Sequence, residues 1–231
     1  MNLTIFDNFN LRARISVIIF FAFPLVFDFY VFWGAKFSIT EDIIISILLV
    51  VLFQGLLNII RPTKSILSKN YAVDLLLPTS KLSEITKKRY YRKLSQFEPE
   101  FTDFNCDEEE RNNKITKSLC ESAICWLRAK TRDKTKFPLV IEENINYSYL
   151  RNIYYLKIPG IVLNSILLFV LGYLFCFTDI TDTTLTTTLF YLQTALHILS
   201  ILYLCFIITK NRLIKAAEKY SKALLEAIDL I

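Results

Sequence analysis

Glycine is almost missing from this sequence: 231 residues contain four, Gly34, Gly55, Gly160 and Gly172. A phosphate-cradling loop needs glycines a few positions apart, so no GxGxxG, P-loop or GxSxG pattern can be assembled, and nucleotide hydrolysis by those routes is excluded. Histidine is scarcer still. The lone His197 excludes an HExxH zinc site, and the five cysteines (Cys106, Cys120, Cys125, Cys176, Cys205) form no CxxC pair, so neither a metal nor a cofactor is expected. Charge is thin as well, at 21% of residues against 53% apolar, with a mean hydropathy of +0.38. That balance excludes a disordered tail, a disulfide scaffold and most soluble enzymes.

What the sequence has instead is apolar length. Runs at 15–33, 43–60, 158–177 and 185–209 hold 19, 18, 20 and 25 residues. A bilayer core takes about 20 helical residues at about 1.5 Å each, so four spans in two hairpins are expected. The first run is longer than a signal-peptide core, lacks a small-residue cleavage site and is followed at once by a second run, so it reads as a span. Lys and Arg are placed lopsidedly: two before the first run, 19 within 61–157, five after the last run, and Lys36 alone elsewhere. Because basic residues near span ends stay on the cytoplasmic side, both termini and the long loop are expected inside, in an inner membrane. The organisation expected is all-α: a transmembrane hairpin at 1–60, a basic helical cytoplasmic domain at 61–157, a second hairpin at 158–209 and a C-terminal cytoplasmic amphipathic helix at 210–231.

The long loop carries 19 basic and 13 acidic residues, more net positive charge than the whole chain's +5. Three helices are expected in it: one from the caps Thr79 and Ser80 to about Phe97, one opening near Cys106 with residues 107–110 in its first turn, and one from Pro138. On the first, at about 100° per residue, Lys88, Arg89, Arg92 and Lys93 share one face and Tyr90, Leu94 and Phe97 the other. A second basic cluster, Arg128, Lys130, Arg132, Lys134 and Lys136, lies at and beyond the end of the second helix. Together the clusters suit a polyanion such as a nucleotide, with Lys88, Arg89, Arg92, Lys93, Arg128, Arg132 and Lys134 on phosphates and Tyr90 or Tyr91 stacking on bases. The plainer reading is attraction to anionic membrane lipid and to a helix C-terminus. Residues 107–110 read as a solvated helix start. Asp133, Glu142 and Glu143 lack a nucleophile or metal set, so no enzyme is expected.

Within the apolar runs, Gln193, His197 and Ser200 form one polar stripe, and Gln54 and Asn58 form an i,i+4 pair. Such stripes line a pore or act as interhelical glue. Asp28, near the end of its run, is expected to reach the outer interface. At the C-terminus, Leu213, Ala217, Tyr220, Leu224, Ala227 and Ile231 are spaced as a short heptad seam, either for a second copy of the chain or for its own domain.

Two hairpins around a basic helical domain, with PTSKLSEITKKRYYRKL at 78–94 and CWLRAKTRDKTKFPLVIEENINYSYLRN at 125–152, resemble the small transmembrane effectors of bacterial anti-phage defence, in particular the HalA-type channels of Hailong systems. The resemblance implies a homo-oligomeric ion channel, with a tetramer as its first expectation, controlled by a nucleotide or oligonucleotide at its cytoplasmic face and partnered with a nucleotidyltransferase encoded nearby. A membrane adaptor that recruits a cytoplasmic partner is the rival reading of the residues, because a helical loop domain needs no pore.

Overall fold

The computed structural model describes residues 8–33, 39–63, 67, 69–97, 99–101, 115–177 and 184–231. Among these, every regular element is helical, as the all-α expectation requires. We label the helices α1 (Ser16–Trp33), α2 (Ile39–Thr63), α3 (Tyr71–Leu76), α4 (Glu84–Leu94), α5 (Lys117–Lys130), α6 (Pro138–Tyr155), α7 (Lys157–Phe177), α8 (Thr184–Leu202) and α9 (Lys210–Glu226). The chain forms two compact units, one of Met1–Ser65 with Ser148–Leu213 and one of Ile66–Tyr147 with Ile214–Ile231.

In the first unit α1 pairs with α2, α8 pairs with α7, and α8 also packs on α1. Two stretches, Lys157–Phe177 and Thr187–Ile207, each of 21 residues with mean hydropathies of 2.3 and 1.8, are long and apolar enough to cross a membrane. Both leave large apolar side chains outward, among them Phe169, 77% exposed, and Phe206, 73% exposed. α1 and α2 coincide with the first two apolar runs. The buried centre of this unit is aromatic and branched: Val17, Ile18 and Phe21 of α1, Phe53 of α2, Ile153 and Leu156 of α6, and Leu204 and Ile208.

Two π turns interrupt the regular ladder, at Leu11–Ile15 and Tyr203–Ile207. A π turn frees carbonyls that an α-helix would bond, and each turn here has a side chain that takes them. Ser16 Oγ donates to Arg12 O, and buried Asn152 donates through Nδ2 to Ala13 O, both at 2.5 Å. At the second turn Lys157 Nζ donates to Ile208 O at 2.8 Å and to Cys205 O at 3.4 Å.

The second unit has its own core. Ala72, Val73 and Leu76 of α3 meet Tyr91 and Leu94 of α4, Leu119, Cys120, Ala123, Ile124 and Leu127 of α5, and Leu224, Leu225, Ala227 and Ile228 at the C-terminal end. Burial pushes the Cys120 thiol up to about 12, so it behaves as an apolar filler.

The expected first loop helix is shortened to Glu84–Leu94, and a further short helix, α3, precedes it. α3 ends at Leu76, and α4 begins only after Ser83, whose Oγ accepts from the Thr86 backbone N–H at 3.3 Å; Thr79 and Ser80 lie in the intervening turn and cap nothing. α5 is capped by Thr116, which accepts from Leu119 N at 3.3 Å. Cys106 and residues 107–110, where the second helix was expected to open, lie outside the described residues. The heptad seam is largely spent on its own chain: Leu213, Ala217, Leu224 and Ala227 are buried, Tyr220 stacks on Tyr147 with ring centres 6.0 Å apart, and Ile231 remains 43% exposed.

Candidate functional site

The basic face of α4 is built by a helix with one buried side. Tyr90, Tyr91 and Leu94 are all buried, and this turns Lys88, Arg89 and Arg92 outward. Lys87, one residue earlier, is on the wrong side for a ligand: it is 3% exposed, donates to Pro78 O at 2.5 Å and pairs with Glu84 at 2.7 Å. Tyr91 requires a correction. It is 1% exposed, its hydroxyl donates to Leu76 O at 2.6 Å, and its ring stacks on Phe101, so it cannot stack on a base. Tyr90 is also buried, under the Arg89 guanidinium 5.5 Å from its ring centre. Its hydroxyl is held above the ordinary tyrosine range, chiefly by burial, against an opposing hydrogen bond from Arg89.

Arg89 and Lys93 already hold an anionic group of the same chain. Arg89 Nη2 stands 2.9 Å from Asp229 Oδ2, and Lys93 Nζ stands 3.8 Å from Asp229 Oδ1 while donating to Asp229 O at 2.7 Å and Ile228 O at 3.2 Å. Beside them lies a cavity of about 140 Å³ walled by Lys93, Leu94, Phe97, Trp126, Ile228 and Ile231. Phe97 and Trp126 face each other there with ring centres 4.4 Å apart. Lys130 Nζ sits 5.9 Å from the Trp126 ring centre, a cation–π arrangement that joins the second basic cluster to the cavity wall.

Arg128, Arg132, Lys134 and Lys136 are exposed on the last turn of α5 and the turn after it. Asp133, in that same turn, has a structural task. Its Oδ1 accepts from Thr135 Oγ1 at 2.7 Å, Thr135 N at 2.9 Å and Lys136 N at 3.4 Å, and the hydroxyl bond above all holds its carboxyl below the usual range.

In the apolar unit the two polar stripes part company. Gln54 Nε2 donates to Asn58 Oδ1 at 3.4 Å on a side of α2 where Ile47 and Val51 are exposed. Gln193, His197 and Ser200 instead face inward and are buried. Asp28 also differs from expectation: it is 7% exposed and faces the bundle, because His197 Nε2 lies 3.0 Å from both its carboxylate oxygens and Gln193 Nε2 donates to its Oδ1 at 2.5 Å. Asn164 of α7 completes the group, with its Oδ1 2.7 Å from His197 Nδ1. Sequence reasoning passed over Asn164 and Asp229. A carboxylate and the sole histidine both within apolar runs were the signal for the first of these groups; nothing local marked Asp229.

Comparison with protein-family models, with curated proteins and with solved structures found no match to this chain.

Proposed function

We propose that this chain is a four-span membrane effector, without catalytic activity, whose cytoplasmic helical unit binds an anionic nucleotide or oligonucleotide and thereby controls an ion channel formed by several copies in anti-phage defence. The observation that carries the reading is the Asp229 clasp: Arg89 and Lys93 already converge on a carboxylate and two carbonyl oxygens, an arrangement a phosphate can take over. Lys88 and Arg92 on the same helix, and Arg128, Arg132 and Lys134 at and beyond the end of α5, extend the charge for further phosphates. Stacking falls to Phe97 and Trp126 in place of the buried tyrosines. The amide pair Gln54–Asn58 supports assembly, since two polar side chains on an apolar, outward helix are satisfied best against a second copy.

The adaptor reading has one observation in its favour. Gln193, His197 and Ser200 are buried within one chain and so offer no polar wall to an oligomer axis.

Binding and flux measured on the same preparation separate the two. Full-length protein in liposomes is expected to bind single-stranded oligonucleotides with an affinity that falls with salt by a slope of about −0.7 per phosphate contacted. Arg89→Ala/Arg92→Ala should weaken binding and flatten that slope, and oligonucleotide should change ion flux. Absence of flux with and without nucleotides leaves the adaptor; absence of salt-dependent binding removes the ligand site.

A further inference from the structure

The proton content of the polar cluster in the apolar unit is written in its hydrogen bonds. Three helices converge there, with Asp28 on α1, Asn164 on α7, and Gln193 and His197 on α8. Asn164 Nδ2 donates to Gly160 O at 2.7 Å, which leaves Oδ1 as the atom 2.7 Å from His197 Nδ1. An amide oxygen only accepts, so Nδ1 carries a hydrogen. The other ring nitrogen, Nε2, is equidistant at 3.0 Å from Asp28 Oδ1 and Oδ2. Lone pairs cannot face one another at that distance. One proton therefore lies between them, as imidazolium beside carboxylate or as neutral imidazole beside carboxylic acid, and both forms are neutral overall. Gln193 adds its Nε2 hydrogen to the carboxylate and is itself fully buried, with Oε1 lacking a partner among the described residues.

We propose that Asp28 and His197 form an intramembrane proton-binding site holding one shared proton, with Asn164 and Gln193 as its positioning residues. Losing that proton leaves a buried carboxylate with no countercharge, and gaining a second leaves an unpaired imidazolium. Either state is costly in an apolar bundle and loosens α8 from α1.

The other titratable side chains described on α7 and α8 are committed or exposed. Lys157 of α7 donates to the carbonyls of Cys205 and Ile208. Tyr173 and Cys176 of α7 and Tyr191 of α8 are exposed. Arg14 precedes α1, Tyr30 follows Asp28 by two positions, and Glu41, Asp42 and Arg61 belong to the first and last turns of α2. The site does not rest on the channel reading: it binds its proton whether or not the chain passes ions.

His197 is the sole histidine, so nitrogen-15 histidine labelling of the full-length protein in lipid vesicles reports this ring alone. The expected result is a hydrogen on Nδ1, a hydrogen-bonded Nε2, and a pH response that changes in Asp28→Asn. A neutral ring with its hydrogen on Nε2 and Nδ1 bare overturns the proposal, as does a pH response identical in both proteins. Where that variant does not fold, the wild-type ring signals decide the matter alone.

Discussion

At Gly160 the missing side chain lets α7 approach α1 so closely that an added Cβ would fall on the ring of Phe21, which is buried and held between the rings of Phe20 and Phe53. Gly172, on the same helix, has nothing within 4 Å of the corresponding position. Gly160→Ala is therefore expected to destabilise the first unit by about 1–3 kcal/mol, as overpacking does. Gly172→Ala should be neutral or stabilising by up to about 1 kcal/mol, through helix propensity. Thermal unfolding of the two variants in detergent checks both. In sequence the two glycines look alike, because the difference lies in which helix passes overhead. Asp133 gives a pH test. Its carboxyl, held below the usual range by Thr135, contributes stability above the unfolded carboxylate value of about 4 and loses it as pH falls through the depressed value. Asp133→Asn should weaken the second unit at neutral pH and remove that share of the acid loss, read by unfolding across pH. Residue type alone misjudged Tyr91, because its burial depends on α3 and Phe101, neither of which its own helix pattern reveals.

Among the helices, α4 and α9 show what periodicity makes legible. The α4 pattern places Tyr90 and Leu94 inward and Lys88 and Arg92 outward, as observed, since a 3.6-residue repeat fixes faces without knowledge of partners. The seam of α9 was equally legible as apolar, but periodicity does not say what covers it, and the second unit's own core does. Leu224, fully buried there, is a sharp probe: Leu224→Ala should cost about 2–5 kcal/mol and unfold the second unit at lower temperature by circular dichroism. The Asp229 clasp should behave differently. Arg89 is 47% and Asp229 32% exposed, so as a largely solvated ion pair it contributes no more than about 1 kcal/mol, and Asp229→Asn should barely move stability. The same change removes the carboxylate competing for Arg89 and Lys93, so oligonucleotide affinity should rise. A fall in affinity would place the ligand elsewhere.

For the whole molecule, the all-helical class and two helices long and apolar enough to cross a membrane follow from composition and run length, which need no tertiary information. The division into units does not: residues 214–231 belong with the basic helical unit despite following the last apolar run directly. The proposed topology is testable by labelling. Cysteines introduced at Ser38 and Thr181 should react with an impermeant reagent outside intact cells, and one at Ser95 should not; reaction at position 95 reverses the orientation. The bond between Asp28 and His197 spans 169 positions of sequence, and it sets a schedule as well as a geometry. At about 5–20 residues per second of synthesis, the histidine is made about 8–34 s after the aspartate. During that delay the first apolar helix carries a carboxyl whose partners His197 and Gln193 have yet to be synthesised. The last apolar helix to emerge is thus the one that lets the first settle.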